Sequence, residues 1–343
     1  MEPAEALERI GYLLDRAREK SYRVRAYQRA AETIRNLAPD ELTRRIEQGT
    51  LEELEGVGPK TASIVVEVAA TGTTEYLTKL EETTGVAIGA GNDLLAALKG
   101  DLHVHSTWSD GGAEIDVMAR AARDLGHEYI ALTDHSPRLT IANGLSRERL
   151  EQQLEVVAAL NKDLQREHSL GGARTFRILT GIEVDILEDG TLDHADEVLD
   201  RLDVVVASVH SKLRMEKREM TRRMITAIAN PLVDVLGHCT GRIVVGRGRP
   251  QSDFDAEVVF HACEQFGTAV EINSRPERLD PPKELLDIAV EMGCEFAIDT
   301  DAHAPGQLEW QPYGADKAAD SGITPDRIIN TRSADELLAW TRP

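Results

Sequence analysis

Apolar residues recur at helical spacing through the first eighty positions: Leu7, Ile10, Leu13 and Leu14, then Val24, Tyr27, Ala31, Ile34 and Leu37, with Pro39 ending the run. This pattern predicts a small all-helical domain over residues 1–80. Residues 81–99 contain Gly85, Gly89 and Gly91 and read as a short connector, with a helical piece at 93–99. From residue 100 the period changes. Apolar runs of strand length fall at 101–105, 129–133, 176–184, 203–209, 233–236, 269–272 and 295–298, separated by amphipathic helical stretches at 114–125, 147–167, 220–229, 255–266 and 283–292. Strands alternating with helices predict an α/β barrel or an open parallel sheet.

The polar residues decide between the two. His103 and His105, His135, Glu183, His210, His238, Asn273, Asp301 and His303 all fall at or just past the ends of the predicted strands. A closed parallel barrel gathers those ends on one face, so a (β/α)7 barrel over residues 100–343 is expected. Side chains in a strand return to the same face every second residue, which puts both imidazoles of His103-Val104-His105 on one side, and Asp301 with His303 likewise.

The histidines and carboxylates of this set, with Asp110, make nine candidate metal ligands: His103, His105, Asp110, His135, Glu183, His210, His238, Asp301 and His303. Nine is too many for one ion and suits two or three divalent ions that share a bridging carboxylate. A nitrogen and oxygen set without thiolate suits Mn, Zn or Fe better than Mg. His127, His168, His194 and His261 fall in helices or connectors and are expected at the surface.

In the helical domain the most specific element is Leu54-Glu55-Gly56-Val57-Gly58-Pro59-Lys60-Thr61-Ala62, followed by an apolar helix. Gly56 and Gly58 permit a tight turn, Pro59 suits a first helical position, and the amides at that helix start can meet a phosphate. The arrangement resembles the helix-hairpin-helix motif of DNA-binding proteins; the competing interpretation is a plain packing corner.

Composition adds bounds. The 343 residues suit about two domains, and 41% apolar content suffices for ordinary cores. No 18-residue apolar run and no apolar signal core is present, so neither a membrane span nor secretion is expected, and cytoplasmic residence is the default. Cys239, Cys263 and Cys294 are far apart and lack a Cys-x-x-Cys spacing, which argues against disulfides and for buried small apolar roles. A net charge of −21 disfavours nucleic acid, yet residues 9–35 carry eight Lys or Arg against three acids, whereas 101–343 carry 26 against 43.

The nine ligand candidates and their order resemble the PHP (polymerase and histidinol phosphatase) superfamily, which implies a distorted (β/α)7 barrel with a trinuclear centre. The resemblance places the first ion at His103, His105, Glu183 and Asp301, the second at Glu183, His210 and His238, and the third at Asp110, His135 and His303. Glu183, Asp301 and His303 would stand closest to the chemistry. The strings Thr133-Asp134-His135-Ser136 and Glu271-Ile272-Asn273-Ser274-Arg275-Pro276-Glu277-Arg278-Leu279 are similar to PHP domains attached to bacterial family X DNA polymerases. Arg23-Val24-Arg25-Ala26-Tyr27-Gln28-Arg29 and the Gly56-Val57-Gly58 hairpin resemble the N-terminal DNA-end-binding domain of the same polymerases. Gly56, Gly58, Lys60, Arg25 and Arg29 would then contact DNA. About 20 residues separate the two parts, too few for a polymerase core, so template-directed synthesis is excluded. Ile64 occupies the position of the Schiff-base lysine of lyase-active relatives, which speaks against a lyase.

The implied reaction is metal-dependent hydrolysis of a phosphoester, with Lys212, Arg242, Arg275 and Arg278 as candidate partners of the phosphate oxygens. A DNA-processing enzyme of the 3′-5′ exonuclease, abasic-site endonuclease or 3′-phosphatase type is expected. The alternatives are a small-molecule phosphatase of the histidinol-phosphatase type and a DNA-binding scaffold without catalysis. Aromatic content of only 4% leaves few stacking platforms for bases and favours the small phosphomonoester.

Overall fold

The computed structural model describes residues 1–171 and 174–341, which divide into two compact units, Met1–Val86 and Ala87–Pro343. The first is helical: α1 (Pro3–Arg16), α2 (Ser21–Arg35), α3 (Pro39–Gln48), α4 (Pro59–Thr71) and α5 (Glu75–Thr83). Prolines at the starts of α1, α3 and α4 fit the first turn, where the missing amide costs nothing. Gly49 and Gly72 end α3 and α4 in the left-handed conformation. The stripe Leu7, Ile10 and Leu14 buries against Val24, Tyr27 and Ala31 of α2 and Val65 of α4. Each such side chain contributes about 1.5–3 kcal/mol by burial. Leu7→Ala, at a fully buried position, would cost about 2–5 kcal/mol.

The second unit opens on α6 (Asn92–Ala97), which, with the preceding glycines, is fastened to the barrel rather than left as a spacer. The amides of Gly89 and Gly91 donate to the Asp316 carboxylate at 2.9 and 2.8 Å. Seven strands follow: β1 (Gly100–Val104), β2 (Tyr129–Leu132), β3 (Arg177–Asp185), β4 (Val204–Ser208), β5 (Val235–Leu236), β6 (Ala269–Asn273) and β7 (Phe296–Asp299). Between and after them lie α7 (Ile115–Asp124), α8 (Arg147–Ser169), α9 (Asp196–Leu199), α10 (Lys217–Ile228), α11 (Ala256–Phe266), α12 (Lys283–Glu291), α13 (Gln311–Asp320) and α14 (Ala334–Thr341). All strands are parallel and ordered β1 to β7 as in the chain. The sheet closes through a single bridge between Val104 and Ala302, with the His105 amide donating to the Ala302 carbonyl at 2.8 Å. This is the distorted (β/α)7 barrel.

Alternation along the strands gives the sheet an outer and an inner apolar face. Ile182, Val205, Leu236, Val270 and Ile298 face the helices, while Tyr129, Ala131, Leu179, Val204, Val206, Val235, Ala269 and Ala297 fill the lumen together with Ile329 and Leu337 of the C-terminal segment. The lumen-facing parity of β3 and β6 continues upward into Glu183, Glu271 and Asn273, so packed apolar layers at the strand starts support a polar layer at the strand ends. No helix among the described residues is long and apolar enough to cross a membrane. All three cysteines are free and buried. His127 departs from its expected surface position: it is buried beside the start of β2, with Nδ1 unpartnered.

Candidate metal centre

Glu183, at the end of β3, is the hub. Its Oε2 lies 2.8 Å from His135 Nδ1, 3.3 Å from His103 Nε2 and 3.7 Å from His105 Nε2, and its Oε1 lies 2.8 Å from His238 Nε2 and 3.1 Å from His210 Nε2. Asp301 Oδ1 stands 3.5 Å from His105 Nε2, and Asp110 Oδ1 stands 3.4 Å from both His135 Nε2 and His303 Nε2. All nine candidates therefore come together at the C-terminal ends of the strands. Their donor atoms form four overlapping groups, His105-Asp110-His135-His303, His103-His105-Asp301, His103-Glu183-His238 and His135-Glu183-His210. The grouping differs in detail from the expected three sites. His105 also joins Asp110, His135 and His303, while His238 and His210, both against Glu183 Oε1, group with His103 and with His135 respectively.

Whether these residues fit cations can be judged from their unused lone pairs. His103 Nε2, both ring nitrogens of His105, His135 Nδ1, His210 Nε2 and Glu183 Oε2 are buried without a well-formed hydrogen bond. Buried polar atoms are otherwise almost always satisfied, so this converging set fits several divalent ions. Electrostatics agrees. Burial drives Glu183 toward protonation, but His210, His103 and His135 outweigh it and hold the carboxyl well below the usual range. Asp301 is also held low, Arg275 overcoming its burial. Burial, then His303 and His135, push His105 well down, leaving a neutral imidazole, the form that ligates a metal.

A second layer orients these groups, and most of it escaped the sequence reading. His103 Nδ1 lies 2.5 Å from Glu271 Oε1, whose other oxygen accepts the His238 amide. His210 Nδ1 lies 3.3 Å from Asp185 Oδ1. Asp134 accepts from the Ser106 amide at 2.8 Å, from Ser109 Oγ at 2.5 Å and from Gln153 Nε2 at 2.6 Å, pinning the loop that carries Asp110. Glu271 and Asp185 each sit two residues from a site residue, Asn273 and Glu183, and that spacing is the signal that could have found them.

Among the expected phosphate partners, two reach the centre. Arg275 Nη1 donates to the Asp301 carbonyl at 3.2 Å, and Arg278 Nε donates to Asp301 Oδ2 at 3.2 Å. Asp301 itself sits in the left-handed conformation, with φ +53°, uncommon for a non-glycine residue though best tolerated by Asn and Asp. Both arginines line an open cleft of about 270 Å³ together with Asp110, His135, Glu183 and His303. Lys212 and Arg242 lie outside that lining. Lys212 is exposed, and Arg242 is committed to backbone, donating to the carbonyls of Arg278 at 2.9 Å and Leu279 at 2.5 Å. Its reach is consumed in shaping the loop that carries Arg278.

In the helical unit, Gly56 turns at φ +81°, and a Cβ there would stand 3.4 Å from Arg29 Cβ, so the hairpin packs directly on α2. Thr33 Oγ1 donates to the Glu55 carbonyl at 2.8 Å and fixes the same contact. Arg25, Arg29 and Lys60 are exposed. The Gly58 amide is already satisfied by Thr61 Oγ1 at 2.9 Å, so it differs from the free phosphate donor expected.

Comparison with known proteins places these features. A helix-hairpin-helix domain model matches residues 1–74, and the PHP domain model matches residues 101–275, more than half of the chain. Over 248 residues, 72% of this chain, the sequence is 40% identical to the DNA polymerase/3′-5′ exonuclease PolX of Bacillus subtilis (strain 168), and the match spans only 42% of that protein. It is 30% identical over 247 residues to a probable phosphatase of Thermoanaerobacter sp. (strain X514), covering 67% of this chain and 89% of that one. Among solved structures, a histidinol phosphate phosphatase from Lactococcus lactis complexed with zinc, L-histidinol and phosphate aligns with a TM-score of 0.45 and 19% identity, over 66% of this chain and 94% of that one. The chain belongs to the PHP family and carries a helix-hairpin-helix domain ahead of its barrel.

Proposed function

We propose that this PHP-family phosphoric ester hydrolase acts on DNA ends, removing a terminal nucleotide or phosphate with the help of two or three divalent ions, Mn or Zn, held by the nine residues around Glu183. The observation that carries the reading is the pairing, in one chain, of a helix-hairpin-helix domain with a PHP domain, in a sequence 40% identical over 72% of its length to a DNA polymerase/3′-5′ exonuclease. Bound ions would supply Lewis acidity, activating water near neutral pH and neutralising phosphoryl charge. The chain's own residues do the rest. Arg275 and Arg278 face the cleft and meet the non-bridging oxygens. Glu183 and Asp301 would be among the residues holding the cations, as would His303, whose Nε2 lies 3.4 Å from Asp110 Oδ1. The exposed Arg25, Arg29 and Lys60, beside the hairpin that Gly56 and Gly58 turn, would meet the sugar-phosphate backbone.

A second reading, a phosphatase for small phosphomonoesters, is favoured by the probable phosphatase that the chain matches over 89% of its length. Mn-dependent hydrolysis decides between them, comparing oligonucleotides ending in 3′-hydroxyl or 3′-phosphate with histidinol phosphate, for wild type and His105→Ala. Preference for an oligonucleotide, lost in the variant, upholds the DNA reading; preference for histidinol phosphate replaces it.

A further inference from the structure

Surface cations of the barrel are widely paired: Arg120 and Arg123 meet Glu167, Arg147 and Arg201 meet Glu151, and Lys283 meets Asp287. One stretch departs from this. Lys212, Arg214, Lys217, Arg218 and Arg222 are all exposed, and no ion pair engages any of them among the described residues. Within residues 212–222 five cations stand against two carboxylates, Glu216 and Glu219, in a segment that is otherwise strongly acidic.

The stretch begins two residues after His210, at the end of β4, and its path is fixed. The buried Arg223 donates to the Ser211 carbonyl at 2.8 Å and the Ile186 carbonyl at 3.1 Å, tying the loop to the end of β3. From there α10 carries Lys217, Arg218 and Arg222 along the rim of an open groove of about 460 Å³ that includes Ile225 and Val258. The one acid in its lining, Asp255, caps α11 through the Val258 amide at 3.4 Å. Cations that follow His210 along the chain, beside apolar side chains, match the two surfaces of a polynucleotide strand, its phosphates and its sugars and bases.

We propose that Arg214, Lys217, Arg218 and Arg222 form a track that holds the phosphates of a single DNA strand whose terminal phosphoester lies in the cleft beside His210. The proposal rests on the DNA-end reading above and adds a second contact surface, on the barrel itself. With no aromatic side chain in the groove lining, the track is indifferent to base sequence and sensitive to salt.

The test uses the full chain and the variant Arg214→Gln/Lys217→Gln/Arg218→Gln/Arg222→Gln. Fluorescence anisotropy with a labelled 12-nucleotide strand measures binding against salt, and hydrolysis is followed on the same strand and on bis(p-nitrophenyl) phosphate. The expected result is roughly tenfold or greater weakening of strand binding at low salt, and a salt slope reduced by about 2–3, since each phosphate contact on a single strand contributes about 0.7. Hydrolysis of the small diester should keep its kcat and KM. Equal affinity and slope in the two proteins would overturn the track. So would equal weakening in the charge-retaining Lys217→Arg/Arg218→Lys/Arg222→Lys variant, which would mark a structural role. Preference of the ridge for anionic phospholipid vesicles over the strand would overturn its assignment to nucleic acid. If wild type hydrolyses no oligonucleotide, yet the Gln variant still loses strand binding, the track stands and the DNA-end hydrolysis reading fails.

Discussion

One carboxylate, Glu271, orients two prospective ligands at once: it lies 2.5 Å from Nδ1 of His103 and accepts the backbone amide of His238. The imidazole of His103 is thereby turned with Nε2 toward Glu183. Glu271→Gln keeps the shape and removes the charge. Metal affinity is expected to fall about 10- to 100-fold, with little change in the melting temperature of the chelated protein. Metal titration followed by elemental analysis checks this; undiminished affinity would reduce Glu271 to a packing residue.

Metal removal should destabilise the barrel. Buried histidine and carboxylate atoms with no well-formed hydrogen bonds are costly without a cation, and binding to the folded state alone adds about 2.7 kcal/mol at one hundred times Kd. A chelator should lower Tm by several degrees, and Mn or Zn should restore it, in wild type but not in His105→Ala. A Tm indifferent to chelator and metal would contradict the assignment of the cluster.

Arg278 and Arg242, which donates to the backbone of the Arg278 loop, should behave differently. Arg278 reaches the cleft, so Arg278→Ala should reduce kcat/KM by about 10²-fold, the usual cost of removing one charge-stabilising donor. Arg242 acts through backbone, so Arg242→Ala should lower Tm and raise KM more than it lowers kcat, with partial rescue by Arg242→Lys. Identical kinetic losses in the two variants would sink the distinction.

Acid sensitivity should reside partly in His127. Burial depresses its pKa from 6.5 to about 4, so between those values the unfolded chain binds more protons and stability falls as pH falls. The contribution approaches roughly 3 kcal/mol by pH 4. In His127→Phe that pH-dependent part disappears, so the stability difference between the two proteins should shift by this amount between pH 7 and pH 4 in urea melts. A constant difference would show that His127 titrates alike in both states.

Gly56→Ala tests the hairpin separately. At φ +81° an alanine is strained by about 1 kcal/mol or more. Duplex-end binding should weaken while hydrolysis of bis(p-nitrophenyl) phosphate stays constant; unchanged binding would leave the hairpin as a packing corner.

Much of this architecture is written in alternation. His103 with His105, and Glu183 preceded by Leu179 and Gly181, obey a two-residue period that points one face at the lumen, and the strand-end position of each polar residue then forces convergence. Where legibility failed, the cause was reach or depth. An arginine's long side chain ends wherever the neighbouring loop runs, so Arg242 looked like Arg278. His127 lies just before β2, in a connection whose polarity gives no sign of burial. Glu271 carries only its two-residue spacing from Asn273 as a signal, and its role depends on the barrel setting it across the lumen against His103.

The single bridge between Val104 and Ala302 makes the closure of β7 onto β1 the thinnest joint of the barrel, and the prospective ligands flank it, His103 and His105 on one side, Asp301 and His303 on the other. A cation shared by His105 and Asp301 would be a clasp across that seam. The first and last strands of the domain would then be held by the same ion that the chemistry needs, and a chain cut short before residue 301 could neither fasten its barrel nor assemble its centre. Hydrogen exchange at the His105 and Ala302 amides, slowed by metal more than at amides deep in β4, would make the clasp visible.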